Sequence, residues 1–523
     1  MEIRSDTFSA VSSILALVFL VMYLYRTFLL EAEKRKWKLK RQGIRGPAPS
    51  FLCGNVREMK KLQKSVKAAD ANQADFVAHD YTSTLFPYFV EWRNKYGTLY
   101  TYSIWMRQHL YVNKPELVRE MNQNMTLDLG KPTFLSEKLA PMLGNGILRS
   151  NGQSWSHQRK IVAQEFFMDK VKGMVELMKE SAKPLLQKWE EYIAAEGGVT
   201  ADVEVYADLR EVSADVISRA CFGSSYSKGK EIFSLLRSLQ NAVSEKSLFL
   251  KFPSFGSRFF RKKMQIWMDN RKKEIDSLIW DAVQERQQER PETSSSSKKD
   301  LLQSILEAAK DENLDKDSSK SLIVDNCKTI YFAGHETTAV SASWCLMLLA
   351  LYPEWQDILR AELAQVCKGQ LPDNDTLPHL KMLTMVIHET LRLYPPGAFV
   401  SREALEETQV GDIVVPKGVC LWTLIPSLHR DPEIWGPDAN EFKPERFSEG
   451  VSKACNYPGT YIPFGLGPRT CLGKKFATVQ LKVLLSMILS KFKFTLSPNY
   501  RHCPAYRMIV EPGQGVQILL QKV

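Results

Sequence analysis

Near its C-terminal end the chain reads Phe464-Gly465-Leu466-Gly467-Pro468-Arg469-Thr470-Cys471-Leu472-Gly473. One cysteine stands in a loop punctuated by glycine, and an apolar, helix-competent run follows over residues 476–489. Gly465 and Gly467 permit tight or positive-φ backbone beside the sulfur. Pro468 stiffens the turn. Gly473 takes away a side chain where the following helix would approach a large flat ligand. Backbone N–H groups of the loop and of the helix start can point at a thiolate and stabilise its charge. Arg469 can pair with an acidic group on the rim of such a ligand. Taken alone, the loop also fits a buried thiol, half of a disulfide or part of a zinc site.

The chain has 523 residues and a net charge of +11. A basic balance suits nucleic acid, an anionic membrane or an acidic protein partner. There is neither paired Cys/His zinc spacing nor a basic-aromatic stripe, which favours the last two. Length suggests about three domains at ~150 residues each, yet no Gly/Ser linker divides the middle, so one large domain is expected. The nine cysteines form no CxxC pair and are odd in number. A reduced, cytosol-facing chain fits this better than a disulfide framework. The Asn-x-Thr triplets at Asn124 and Asn374 are then chance matches.

Residues 9–25 carry no charge, and with Arg26 snorkelling the apolar run extends to residue 30. That is long enough to span a bilayer as a tilted helix. Glu2 and Asp6 outweigh Arg4, and no small-x-small site follows, so an uncleaved anchor is favoured over a signal peptide. Lys34, Arg35, Lys36, Lys38, Lys40, Arg41 and Arg45 follow the run, which leaves the rest of the chain in the cytosol. The expected organisation is a short lumenal N-terminus (1–8), a transmembrane anchor (9–30), a basic stop-transfer segment and proline hinge (31–49) and a single cytosolic catalytic domain (50–523).

Residues 99–104 and 110–112 read as a hairpin. Residues 130–150, with Pro132, Pro141, Gly144 and Gly146, read as an irregular loop able to line a pocket. Trp155 and Arg159 share a helical face and can clamp one anion, or are a core Trp beside a surface Arg. From 165 to 290 the pattern is mostly helical, and 290–299 is a low-complexity surface loop. Residues 321–351 form a helix buried through the core. Ala333-Gly334-His335-Glu336-Thr337-Thr338 interrupts it: Gly334 would admit a ligand, and Glu336 and Thr337 could handle protons. Ala339 stands where a zinc protease HExxH needs its second histidine. Glu389 and Arg392 share a helix face, and Arg446 could join them in a buried network. His429-Arg430-Asp431 mimics a kinase catalytic loop but lacks the required Asn, Gly436 standing there instead.

In their order, and over the whole length, these segments resemble a cytochrome P450 of the membrane-anchored endoplasmic-reticulum type. FGLGPRTCLG fits the family signature at Phe464, Gly465, Gly467, Arg469, Cys471 and Gly473. AGHETT, ETLR, PERF and the Trp155/Arg159 helix stand in the family's order. The resemblance implies a mainly α fold with small β-sheets (α+β) after an N-terminal transmembrane helix. It implies haem b (iron protoporphyrin IX) with Cys471 as the axial ligand of the iron. Arg469, Trp155 and Arg159 would hold the propionates, with Arg402 as a further candidate. Phe464 would pack on the thiolate side and limit water there, and Gly465 and Gly473 would lie against the cofactor. Glu389, Arg392 and Arg446 would form a structural triad, and Glu336 and Thr337 would pass protons to O2. Ala333, Ala398, Phe399 and Val400 are substrate-pocket candidates. Electrons from NADPH would arrive through NADPH-cytochrome P450 reductase.

A narrower likeness lies in residues 78–97, 330–356 and 399–419. They resemble a plant subfamily that oxidises gibberellins and related ent-kaurane diterpenoid acids. Some relatives oxidise triterpenoids, which gives the alternative substrate. The intact Glu336-Thr337 pair and the ordinary Cys loop argue against a haem-thiolate isomerase or dehydratase, and against a non-catalytic haem-binding membrane protein.

Overall fold

The computed structural model describes residues 30–69, 77–124, 126–223, 226–245, 258–289, 300–311 and 315–523, with isolated positions between 12 and 26. The expected anchor, residues 9–30, and the low-complexity stretch 290–299 therefore lie largely or wholly outside the described residues. Among the described residues no helix is long and apolar enough to cross a membrane.

The chain is mainly helical with small sheets, as the family resemblance implies. Helix α1 (Glu31–Arg41) carries the basic segment and buries Leu39. Lys38 pairs with Glu407 at 2.6 Å. The Gln42 side chain both donates to the Val414 carbonyl and accepts from the Val414 N–H, each at 2.8 Å. These contacts tie the segment to the hairpin of β6 (Thr408–Val410) and β7 (Ile413–Val415). The chain then runs along β1 (Leu99–Ile104), whose Thr101 N–H donates to the Arg45 carbonyl at 3.0 Å.

The predicted hairpin pairs β1 with β2 (Arg107–Val112). It opens a five-stranded sheet, with β8 (Cys420–Leu424), β5 (Phe399–Ala404) and β3 (Leu129–Gly130) following in that order. A three-stranded sheet joins β4 (Ala201–Glu204), β12 (Gln517–Lys522) and β9 (Phe492–Leu496). Strands β10 (Pro504–Arg507) and β11 (Ile509–Pro512) form a separate hairpin. Its tip is Met508, at φ 70°. All nine cysteines are free.

Two stretches differ from the sequence reading. The expected loop at 130–150 contains helix α2 (Thr133–Leu143), with Pro141 inside it. A proline in a helix interior removes one hydrogen bond, but burial of Phe134, Met142 and Leu143 holds this helix together. It stops at Gly144, whose φ of 54° only glycine adopts freely. Strand β4 also interrupts the stretch expected to be helical, because its alternate residues Ala201 and Val203 are buried against β12.

The core is threaded by α7 (Lys316–Leu351), 36 residues long and buried almost continuously from Ile323 onward. Its N-terminus is capped by Asp315, whose carboxylate accepts from the Asp317 and Ser318 N–H groups at 3.0 Å. Around it, in chain order, stand α3 (Gly152–Ala163), α4 (Val205–Phe222), α5 (Tyr226–Glu245), α6 (Arg258–Glu289), α8 (Lys381–Leu393) and α9 (Lys474–Lys491). Gly334 lies where α7 meets α4. A Cβ there would come within 2.5 Å and 2.7 Å of Ile217 Cδ1 and Cγ1. Ser213 donates to the Gly334 carbonyl at 3.3 Å. The glycine thus serves helix-to-helix approach, and the expectation that it admits a ligand is corrected. Gly334→Ala is expected to destabilise by about 1–3 kcal/mol through overpacking. Combined with Ile217→Ala, the loss should fall well short of the sum of the single losses in urea unfolding. Full additivity would refute the contact.

Candidate active site

The Cys loop is built from its own backbone. Gly465 and Gly467 stand at φ 70° and 71°. A side chain on Gly467 would overlap the carbonyl of Asn122, so the loop lies directly against the end of the sequence-distant helix Pro115–Gln123. Gly465 N–H donates to the Ile462 carbonyl at 2.9 Å, and Cys471 N–H to the Phe464 carbonyl at 2.8 Å. Thr470 closes the turn onto the Gly467 carbonyl through its N–H at 3.0 Å and its hydroxyl at 2.7 Å. Helix α9 begins immediately afterwards, with Gly473 as its N-cap. A Cβ on Gly473 would meet no atom within 4 Å. Cys471 is exposed, yet the surrounding protein raises its thiol pKa by burial, against the Gly473 backbone hydrogen bond and the charges of Arg159 and Lys474. Phe464 is half-buried beside Cys471.

In front of the loop, four cations converge. Trp155 is buried, with the Arg469 guanidinium 4.2 Å and the Arg159 guanidinium 5.7 Å from its ring. Arg159 donates to the Thr470 carbonyl at 2.9 Å. Arg469 donates to the Ser150 carbonyl at 3.2 Å and to Asn151 Oδ1 at 3.0 Å. Arg402, on β5, is buried and donates to the Ser401 carbonyl and to Asn122 Oδ1. Trp155, Arg402 and Arg469 line one cavity together with Asn122 and Pro468. The fourth cation, Lys131, carries no motif in the sequence and went unrecognised there.

Electrostatics make this set unusual. Burial lowers Arg402 to about 10. Burial, with Arg402 and Arg159 nearby, lowers Arg469 to about 9. Burial, with Arg402 and Arg469 nearby, lowers Lys131 to about 7. No carboxylate among the described residues pairs with any of the four. Clustered, desolvated, unbalanced cations are costly unless an anion completes them. A planar group with two carboxylates on one rim and a metal over the thiolate fits this donor set.

Behind the loop sits a buried brace. Glu389 and Arg392 have no exposed side-chain surface and meet side-on, at 2.6 Å and 2.7 Å. Arg446 Nε lies 3.5 Å from the same carboxylate. Arg392 also donates to the carbonyls of His429, Ala439 and Glu441. His429, noticed in the sequence only within a rejected kinase pattern, connects brace and loop. It accepts from the Ile462 N–H at 3.0 Å through Nε2, while Nδ1 lies 3.1 Å from the Arg392 carbonyl. Only the tautomer with hydrogen on Nδ1 serves both bonds. Burial lowers its pKa to about 3, so it stays neutral.

On α7, Glu336 is buried and ion-paired with Arg210 at 2.6 Å and Arg237 at 3.4 Å. Burial acts to raise its pKa, but the neighbouring cations win and hold it below the usual carboxylate value. The Thr337 hydroxyl donates to the Ala333 carbonyl at 2.7 Å. Ala333 is half-buried on the same turn, and Ala398 and Val400 are buried. Phe399 turns into an aromatic cluster with Phe86, Trp422 and Tyr506, at centroid distances of 5.1, 5.4 and 5.8 Å.

A cysteine loop, a cation cradle and a polar break in a core helix together suit an oxidoreductase that binds a flat, dianionic cofactor. The cytochrome P450 family matches this chain over residues 76–520. The chain belongs to the cytochrome P450 family and is a monooxygenase of that family. It is 53% identical over 502 residues to cytochrome P450 714A2 of Arabidopsis thaliana, covering 95% of each chain. It is 47% identical over 515 residues to cytochrome P450 714C2 of Oryza sativa subsp. japonica, covering 98% of this chain and 97% of the relative. It is also 47% identical over 512 residues to cytochrome P450 714B3 of Zea mays, covering 96% and 94%.

Arg392→Ala would leave Glu389 buried without its main partner, a loss of about 3–5 kcal/mol. The expected outcome is insoluble or haem-free protein, and in any soluble fraction a urea midpoint lowered accordingly. A loss under about 1 kcal/mol, the worth of an exposed pair, would contradict a structural role for the triad.

Proposed function

We propose that Cys471 is the axial thiolate of haem iron and that Arg469, Trp155, Arg159 and Arg402 hold the propionates, with Lys131 adding charge. The observation that carries this reading is the unbalanced cation cluster in front of an exposed cysteine. When bound, haem supplies the O2 chemistry by which one oxygen atom enters the substrate. The Gly473 backbone, Arg159 and Lys474 would favour the anionic sulfur of Cys471 against the effect of burial. Phe464 would limit water on that side. Glu336 would keep an ionised carboxylate one residue from Thr337, and the Thr337 hydroxyl would exchange its bond to Ala333 for an ordered water. Together they would move protons into the pocket.

The substrate we infer is a gibberellin or an ent-kaurane diterpenoid acid, hydroxylated or oxidised further. The likeness at 78–97, 330–356 and 399–419 supports it, and the apolar Ala333, Ala398, Phe399 and Val400 suit a rigid polycycle. The relatives matched give no support to a triterpenoid substrate. We place residues 1–8 in the lumen, 9–30 as a single-pass anchor in the endoplasmic reticulum membrane, 31–49 as the basic segment and hinge, and 50–523 in the cytosol. NADPH-cytochrome P450 reductase would dock on the basic surface and supply the electrons.

Reduced protein with carbon monoxide should show the thiolate-specific absorbance, and Cys471→Ala should abolish it. An unchanged spectrum in that variant would sink the ligand assignment. Expressed with a plant reductase, the protein should convert ent-kaurenoic acid or a gibberellin. Turnover of an oleanane triterpenoid alone would overturn the substrate reading. Lys131→Gln should raise the melting temperature of haem-free protein by relieving repulsion, while weakening haem retention. A lowered melting temperature of the haem-free form would contradict the repulsion.

A further inference from the structure

A second buried charge network joins four elements on the Glu336 side of α7. Arg237, on α5, takes Glu511 of β11 end-on, through Nη1 at 2.9 Å and Nη2 at 3.0 Å, and also reaches Glu336. Arg210, on α4, holds the other oxygen of Glu336. Arg507, on β10, pairs with Glu511 across the hairpin. The Tyr206 hydroxyl lies between the two carboxylates, 3.4 Å from Glu336 and 3.2 Å from Glu511. Glu511 and Glu336 are essentially inaccessible, with side-chain exposures of 0% and 2%.

The charges do not balance. Three guanidiniums face two carboxylates, and no third carboxylate among the described residues enters the network. His335 lies 3.6 Å from Glu336, but burial lowers its pKa to about 4, so it adds no charge at neutral pH. Donors are left over as well. Arg237 spends its fork on Glu511, Glu336 and Gln240. Arg210 Nε is buried without a hydrogen-bond partner. Arg507 uses one nitrogen on Glu511, and its side chain keeps 41% exposure. An unpaired buried guanidinium donor is costly, and one more carboxylate would balance the charge of the network.

We propose that this excess takes the carboxylate of an acidic substrate, with Arg507 as the specificity-determining contact and Arg210 supplying charge behind it. The inference rests on the diterpenoid-acid reading above and assigns its carboxylate a place. Glu336 directly precedes Thr337 on α7, and Tyr206 and Arg237 link it to Glu511, so a carboxylate held on Arg507 would lie at the hairpin edge of the same network. Arginine suits the task because its planar fork can hold one carboxylate on Glu511 and present its remaining donors to another.

The test is a spectral titration of the haem-loaded protein with ent-kaurenoic acid and with its methyl ester, at fixed ionic strength. A charge-assisted bond is worth ~1.5–3 kcal/mol, so the wild type should bind the acid about tenfold or more tightly than the ester. Arg507→Gln should bring that ratio near one by weakening the acid alone. Arg507→Lys should keep most of the preference, and in both variants Arg237 still holds Glu511. Equal affinity for acid and ester in the wild type overturns the inference. So does an Arg507→Gln variant that keeps the preference, or that loses acid and ester in equal proportion. If acid and ester are both oxidised with equal affinity, this inference falls and the substrate reading stands. If neither binds while a triterpenoid does, both fall.

Discussion

The buried pair of Glu389 and Arg392 sets the position of everything at the proximal side. Taking two charges fully out of water is expensive, and attraction between them rarely offsets it alone. Here the remaining donors of the guanidinium are filled by three carbonyls from the 429–441 segment. The Lys443 N–H donates to the carboxylate at 2.9 Å. The pair therefore acts as a collector of backbone, and the chain that leads into the Cys loop has little choice of path. His429 carries the constraint onward to Ile462, whose carbonyl receives Gly465.

The opposite side of the loop works by repulsion instead of attraction. Lys131, Arg159, Arg402 and Arg469 come from elements far apart in the chain, and each is fixed by carbonyl or amide oxygens or simply by burial. Such positioning is insensitive to whether an anion is present, so the cradle is ready in advance of its ligand. Preorganisation of that kind lowers the cost of binding. The distal network follows another rule. There each arginine is spent on a carboxylate, and the single excess charge lies toward the β10–β11 hairpin.

What could be read from the sequence was what local spacing records. The Cys loop, the Glu389/Arg392 pair and the Trp155/Arg159 pair each lie within a few residues, so their geometry follows from one turn or one helix. Lys131 and His429 have no such neighbours, and their partners come from distant segments. The Arg237–Glu511 pair spans 274 positions, and no local pattern announces it. Gly334 was legible as special but not for the right reason, because its contact, Ile217, sits on another helix. Helix α2 was hidden by its proline and flanking glycines, whose turn signals outweighed the burial that holds it together. The site as a whole became readable only through family likeness, which orders segments that spacing cannot connect.

The neutral, buried His429 has company. His79 and His109 are lowered by burial to about 3, and His335, His388 and His502 to about 4. Six of the eight histidines thus refuse a proton in the folded protein. An unfolded chain accepts those protons near the ordinary value of 6.5. Below that pH the unfolded state binds more protons than the folded one, so stability falls progressively as pH drops from about 6.5 towards 4. A protein tuned in this way is acid-labile by construction. Because His429 is lowered to about 3, its tie between Arg392 and Ile462 outlasts mild acidity in the folded protein, and the loss is borne by the fold as a whole.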